Sequence, residues 1–167
     1  MNPSFDWSKF TLRVPVKADA QKIYEAWATS AGLKSWFLSS CYFTAPQGIL
    51  RNKNEFAQEG DHYKWFWFGY DDTVFEQRTV LEANGKDLFK FRFTDNNIVT
   101  VRITEQNGET LVVLEQENIA WDENPGSNLR VQCATGWTFY LTNLKSILEG
   151  GHDLRNKNAG LPNVINA

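Results

Sequence analysis

The chain has 167 residues, of which 42% are hydrophobic and 22% charged, a composition that excludes a disordered chain or a membrane-embedded one. Its formal net charge of −3 argues against binding to a phosphate backbone, which needs a basic face. Aromatic residues reach 14%, with 7 Trp and 12 Phe, enough ring area for a large core, a ring-lined cavity or both.

The first ten residues, MNPSFDWSKF, lack an apolar stretch behind a basic flank, so no signal peptide is predicted. No window approaches the ~18 apolar residues of a membrane span, and a cytoplasmic protein without membrane association is expected. Residues 10–18 alternate Phe10, Leu12, Val14 and Val16 against polar neighbours and read as a strand. Pro15 lacks an N–H and predicts an edge or a strand end there. Asp19 is the expected cap of a helix over 20–30, with Ile23, Ala26 and Trp27 on one stripe, and 31–37 reads as a second short helix or turn.

The period then changes. Residues 41–48 read as strand and loop, 62–69 as a strand, 73–83 as a strand, and Asn84-Gly85 as a hairpin turn. Residues 88–93, 97–106 and 110–118 are further strands joined by short turns, which predicts an antiparallel meander. Residues 129–150 form the longest predicted helix, capped by Ser127 or Asn128. Its apolar stripe is Ala134, Trp137, Leu141, Leu144 and Leu148, and Gly150 and Gly151 end it. Residues 152–167 read as a polar, loop-like tail. The order is α+β, a curled antiparallel sheet whose concave face grips the long helix while two short helices plug one end. No repeat or linker divides residues 1–167, so a single domain is expected, with its core over about 10–151.

Three stretches carry a resemblance. ADAQKIYEAWATSAGLKSWF leads from a helix and a small-residue turn into Trp36 and Phe37. GDHYKWFWFG sets Gly60, Tyr63, Trp65, Trp67 and Gly69 along one strand. GWTFYLTNLKSILEGGHDLR sets Gly136 and Trp137 before Leu144, Lys145, Leu148, Glu149 and Gly150. Together, over about Phe10 to Gly151, they resemble the bacterial START-like, helix-grip domains named after the activator of the heat-shock-protein-90 ATPase. The resemblance implies a helix-grip fold with an elongated, largely apolar cavity between sheet and long helix. Where such domains often carry His, this chain has Gln116. A second, chaperone-gripping domain like that of the name-giving co-chaperones is not expected within these 167 residues.

Parity and the motif match turn Tyr63, Trp65 and Trp67 inward. The other inward rows are Phe89, Phe91 and Phe93; Val99, Val101 and Ile103; and Val112, Leu114 and Gln116. The helix adds Trp137, Leu141 and Leu144. The candidate ligand-binding set is Trp36, Phe37, Tyr63, Trp65, Trp67, Phe89, Phe91, Val101, Leu114, Gln116, Trp137, Tyr140 and Leu141. It would enclose a hydrophobic or aromatic small molecule, with Gln116 or Tyr140 orienting it. On the opposite parity, Phe66, Phe68 and Tyr70 would form an exposed convex patch suited to a homodimer or another partner, unless a loop or the tail residues Leu161, Val164 and Ile165 fold over them. A protein-interaction or stress-accessory module is therefore the alternative function, and an enzyme of unknown reaction in the same cavity a second one. Glu76 and Arg78 share one strand face and are candidates for inward polar groups. His62 and His152 stand apart from Cys41 and Cys133, which read as free thiols. No metal, cofactor or catalytic motif is implied.

Overall fold

A computed structural model describes residues 5–161 and 164–165. The predicted alternation becomes seven strands: β1 (Phe10–Pro15), β2 (Ser40–Thr44), β3 (His62–Phe66), β4 (Glu76–Ala83), β5 (Leu88–Phe93), β6 (Asn97–Gln106) and β7 (Glu109–Glu117). They form one antiparallel sheet in the order β1-β7-β6-β5-β4-β3-β2, so β1 with its Pro15 is an edge strand. Register carries the inward rows across the sheet. Phe10 faces Gln116, Gln116 faces Val99, Val99 faces Phe91, and Phe91 faces Val80. All five are buried. A second row runs through Leu12, Leu114, Val101, Phe89 and Ala83.

Helix α1 (Ala20–Ala28) buries Ile23, Tyr24, Ala26 and Trp27. Asp19 stands at its N-cap position without a side-chain cap bond, so the expected cap is absent. Helix α2 (Ser30–Trp36) starts directly on the end of α1. The Thr29 hydroxyl oxygen accepts from the Gly32 N–H at 2.9 Å and donates to the Glu25 carbonyl at 2.8 Å. The Trp36 indole N–H donates to the Ala26 carbonyl at 2.9 Å, which closes the α1–α2 corner.

Helix α3 (Leu129–Leu148) is capped by Asn128, whose side chain accepts from the Val131 N–H. It stops two residues short of the predicted end. Gly150 takes φ +80° and the Gly151 N–H reaches back to the Ser146 carbonyl at 2.7 Å.

Strand β3 is also shorter than its sequence suggests. β3 ends at Phe66, and Gly69 at φ +84° turns the chain. Phe66, Phe68 and Tyr70 therefore do not share one sheet face. Phe66 lies between Tyr42 and Phe75, with ring centroids at 6.4 and 5.9 Å. Phe68 lies beneath the C-terminal segment, with the Arg155 guanidinium 5.2 Å and the Lys157 ammonium 5.5 Å from its ring.

Candidate functional site

The candidate residues divide into a core and a cleft. Trp36, Phe37, Tyr63, Trp65, Phe89, Phe91, Val101, Leu114, Gln116, Trp137 and Leu141 are all buried in the central cluster. Their rings fill one another's space. Tyr63 stacks on Trp65 at 4.0 Å, Trp65 meets Phe91 edge-on at 5.1 Å, and Phe37 lies 5.0 Å from Trp137. Trp67 and Tyr140 stand at the edge of this cluster and line a cleft of about 1120 Å³. Phe37 joins the two regions, with ring centroids 5.7 Å from Trp67 and 4.7 Å from Tyr140.

Four segments build the cleft. The β3–β4 connection gives Trp67, Phe68, Tyr70 and Val74, the β5–β6 turn Thr94, and α3 Gln132 and Tyr140. The C-terminal segment supplies Asn156, Lys157, Leu161 and Val164. Sequence reading anticipated Trp67 and Tyr140 as lining residues and left out Thr94, Gln132 and 156–159. Thr94 and 156–159 belong to a turn and a tail, and Gln132 lies off the apolar stripe of α3, so none gives a sign of a shared surface.

Gln116 is fully buried and already engaged. Its Oε1 accepts from the Trp137 indole N–H at 2.9 Å, and its Nε2 donates to Asn97 Oδ1 at 3.1 Å. Asn97 in turn donates to the Thr94 carbonyl at 2.8 Å, so the network ends on a cleft residue and holds that turn in place. Burial pushes the Cys133 thiol above its ordinary range, against a hydrogen bond with Gln116. Both cysteines are free.

Tyr140 is pushed up to about 12, first by burial and against the pull of Arg155, so its phenol stays neutral at physiological pH. Glu76 is raised by burial, opposed by Arg78, whose Nε lies 3.2 Å from Glu76 Oε1. The charges at the cleft rim have partners. Lys157 pairs with Asp153 at 2.8 Å, and Asp71 accepts from the Thr73 N–H at 2.8 Å. The cleft thus offers aromatic walls, a neutral phenol and amides, with the Lys157–Asp153 pair and the Asp71 carboxylate at its rim. Among the described residues, no group of three or more His, Cys, Asp and Glu side chains could hold a metal ion. None of the described helices is long and apolar enough to cross a membrane.

The family model for Activator of Hsp90 ATPase homolog 1-like protein matches residues 17–149, most of the sheet together with all three helices. The chain belongs to this family. Among curated proteins no sequence matches it. Solved structures share the family fold at low identity. The Aha1 dimer from Colwellia psychrerythraea has 20% identity and a TM-score of 0.64, over 86% of this chain and 97% of that one. Protein SSP2350 from Staphylococcus saprophyticus has 16% identity and a TM-score of 0.67, over 88% and 96%. DynU16, from the dynemicin biosynthetic locus, has 17% identity and a TM-score of 0.66, over 90% of this chain and 50% of that one. At these identities the likeness concerns the fold alone. The curved sheet around a long C-terminal helix is the helix-grip arrangement of this family.

Proposed function

We propose that this member of the activator of Hsp90 ATPase homolog 1-like family is a cytoplasmic module that binds an uncharged hydrophobic or aromatic small molecule in the cleft beside α3. The cleft itself carries this reading. Trp67, Phe68, Tyr70 and Tyr140 converge on it, and Phe37 ties them to the rigid core. Ring faces removed from water contribute ~25 cal/mol per Å² of apolar area. The Tyr140 phenol supplies a neutral polar contact to orient the ligand. The test is a fluorescence titration with the neutral probe N-phenyl-1-naphthylamine. Wild type should saturate, and Trp67→Ala should weaken binding by roughly tenfold, about 1.4 kcal/mol, while keeping its far-ultraviolet circular dichroism. Equal affinity in the two proteins would remove Trp67 from the site.

A separate observation favours a second role as an interaction module. Tyr42 and Phe75 are 47% and 43% exposed on either side of Phe66, and the Lys64 ammonium lies 4.0 Å from the Phe75 ring centroid. Exposed rings clustered on a convex face suit association with a second copy, and the Colwellia relative is described as a dimer. Sedimentation velocity of wild type should give a concentration-dependent dimer that Phe66→Ser abolishes. A wild-type monomer throughout would rule out this surface as a homodimer contact.

A further inference from the structure

Asparagine precedes glycine at two positions, Asn84-Gly85 and Asn107-Gly108, and both pairs lie in hairpin connections of the sheet. In such a pair the glycine nitrogen can attack the asparagine side chain, because no β-carbon on the glycine shields it. The new bond joins the glycine N to the asparagine Cγ. The Cγ–Nδ2 bond breaks, and the side-chain nitrogen leaves as ammonia, taking up the proton lost from the glycine amide. Water then opens the cyclic imide to aspartate, or to isoaspartate, whose main chain runs through Cβ. The carboxamide must be free to swing toward the glycine nitrogen, and the glycine N–H must be free to lose its proton.

The fold treats the two pairs oppositely. Asn84 Oδ1 accepts from the N–H groups of Lys86, Asp87 and Leu88, each at 3.0 Å, and its Nδ2 donates to Asp87 Oδ1 at 2.7 Å. The Gly85 N–H, the attacking group, donates to the Tyr24 phenol oxygen at 2.9 Å. Tyr24 is itself fixed in the core, edge-on to Phe56 with ring centroids at 5.3 Å. Attack at Asn84 has to break these bonds first. Asn107 and Gly108 are exposed at the β6–β7 turn. Among the described residues, no group hydrogen-bonds to the Asn107 side chain or to the Gly108 N–H. Both residues take positive φ, +53° and +77°, and a Cβ built on Gly108 would meet nothing within 4 Å, so no neighbour obstructs ring closure.

We propose that Asn107 is a modification site of this chain, deamidated without an enzyme to aspartate or isoaspartate, and that Tyr24 and the backbone of 86–88 protect Asn84 from the same reaction. The product carries one more negative charge than the formal −3 of the chain. That charge falls on a surface groove bordered by Arg13, Lys17 and Lys145, which shares no lining residue with the cleft beside α3. Isoaspartate also adds a backbone atom to a two-residue turn whose flanks pair Gln106 with Glu109.

The test is to hold the folded full chain at physiological temperature and mildly alkaline pH and to follow both pairs by peptide mass spectrometry. The same chain unfolded in urea is the reference, in which the two pairs should react at similar rates. In the folded chain Asn107 should react roughly tenfold faster than Asn84, or more. Tyr24→Phe should speed the reaction at Asn84 about threefold or more and leave Asn107 unchanged. Equal rates in the folded chain, a faster Asn84, or an Asn107 that stays intact while the unfolded chain reacts would each overturn the proposal. An unchanged Asn84 rate in folded Tyr24→Phe overturns the protective role of Tyr24. Should that variant fail to fold, Asp87→Ala, which frees Asn84 Nδ2, should give the same acceleration, and an unchanged rate there overturns the protection equally.

Discussion

Arg155→Ala should lower the thermal midpoint by roughly 10 °C. Arg155 is only 7% exposed, although it lies in a polar tail. Its Nη1 donates to the Leu38 carbonyl at 3.0 Å, and its Nη2 to the carbonyls of Ser35 at 2.9 Å and Lys34 at 3.1 Å. These carbonyls at the end of α2 are among those a helix cannot satisfy internally. The Asp153 carboxylate holds the other side of the guanidinium, at 2.9 Å from Nε and 2.6 Å from Nη2. Asn143 completes the clamp, donating to the Trp36 carbonyl at 2.7 Å and accepting from the Leu154 N–H at 2.8 Å. Alanine would strand three carbonyls and leave the Asp153 carboxylate with Lys157 as its one cationic partner among the described residues, a loss of about 3–5 kcal/mol, and in a chain of this size each kcal/mol shifts the midpoint by about 2–4 °C. Arg155→Lys should recover only part, because an ammonium cannot span the fork of partners.

The pH dependence has a definite sign. Burial alone would raise the Asp153 carboxyl, but hydrogen bonds from Arg155 and Lys157 outweigh it and hold the group well below the usual carboxylate range. A depressed folded-state value stabilises the fold above the unfolded carboxylate range, near pH 4, and loses that contribution as pH falls further. The gap between wild type and Arg155→Ala should therefore be full at pH 6 and narrow steadily below pH 4. A gap that is constant from pH 6 to pH 2 would contradict the clamp.

Gly32→Ala should be nearly as damaging. The added Cβ would sit 2.1 Å from the Glu25 carbonyl oxygen and 2.7 Å from the Ala26 Cα, both backbone atoms that no rotamer change can move. The α1–α2 corner would have to open, breaking the seat of the fully buried Trp36 and its bond to Ala26. Overpacking of this kind costs about 3 kcal/mol, or a fall of roughly 6–12 °C. Differential scanning calorimetry would show it, and an unchanged midpoint would mean the helices do not meet as closely as described.

Most of the fold was legible in the sequence because period-2 alternation is a local property. The rows through Phe89, Phe91, Val99, Val101, Val112 and Leu114 follow from parity alone, and the pairing of β5 with β6 and of β6 with β7 places them side by side. Trp67 illustrates the limit. It shares parity with Tyr63 and Trp65, yet the strand has ended by Phe66, and a single glycine with positive φ turns the chain toward the cleft. Gln116 reads as a free polar group in the sequence. Its partners Asn97 and Trp137 come from other elements, and only the register reveals that its amide is committed. The C-terminal segment was least legible. Asp153 and Arg155 look like ordinary surface charges until α2 supplies the carbonyls that bury them.

The most direct test of the cleft is a titration of ¹⁵N-labelled protein with 2-naphthol, followed by amide and indole chemical shifts. The account predicts saturable shifts centred on the Trp67 indole and on the amides of Thr94, Gln132 and Tyr140, with Tyr42, Phe66 and Phe75 unmoved. Shifts confined to the convex ring cluster, or none at the solubility limit of the ligand, would contradict it.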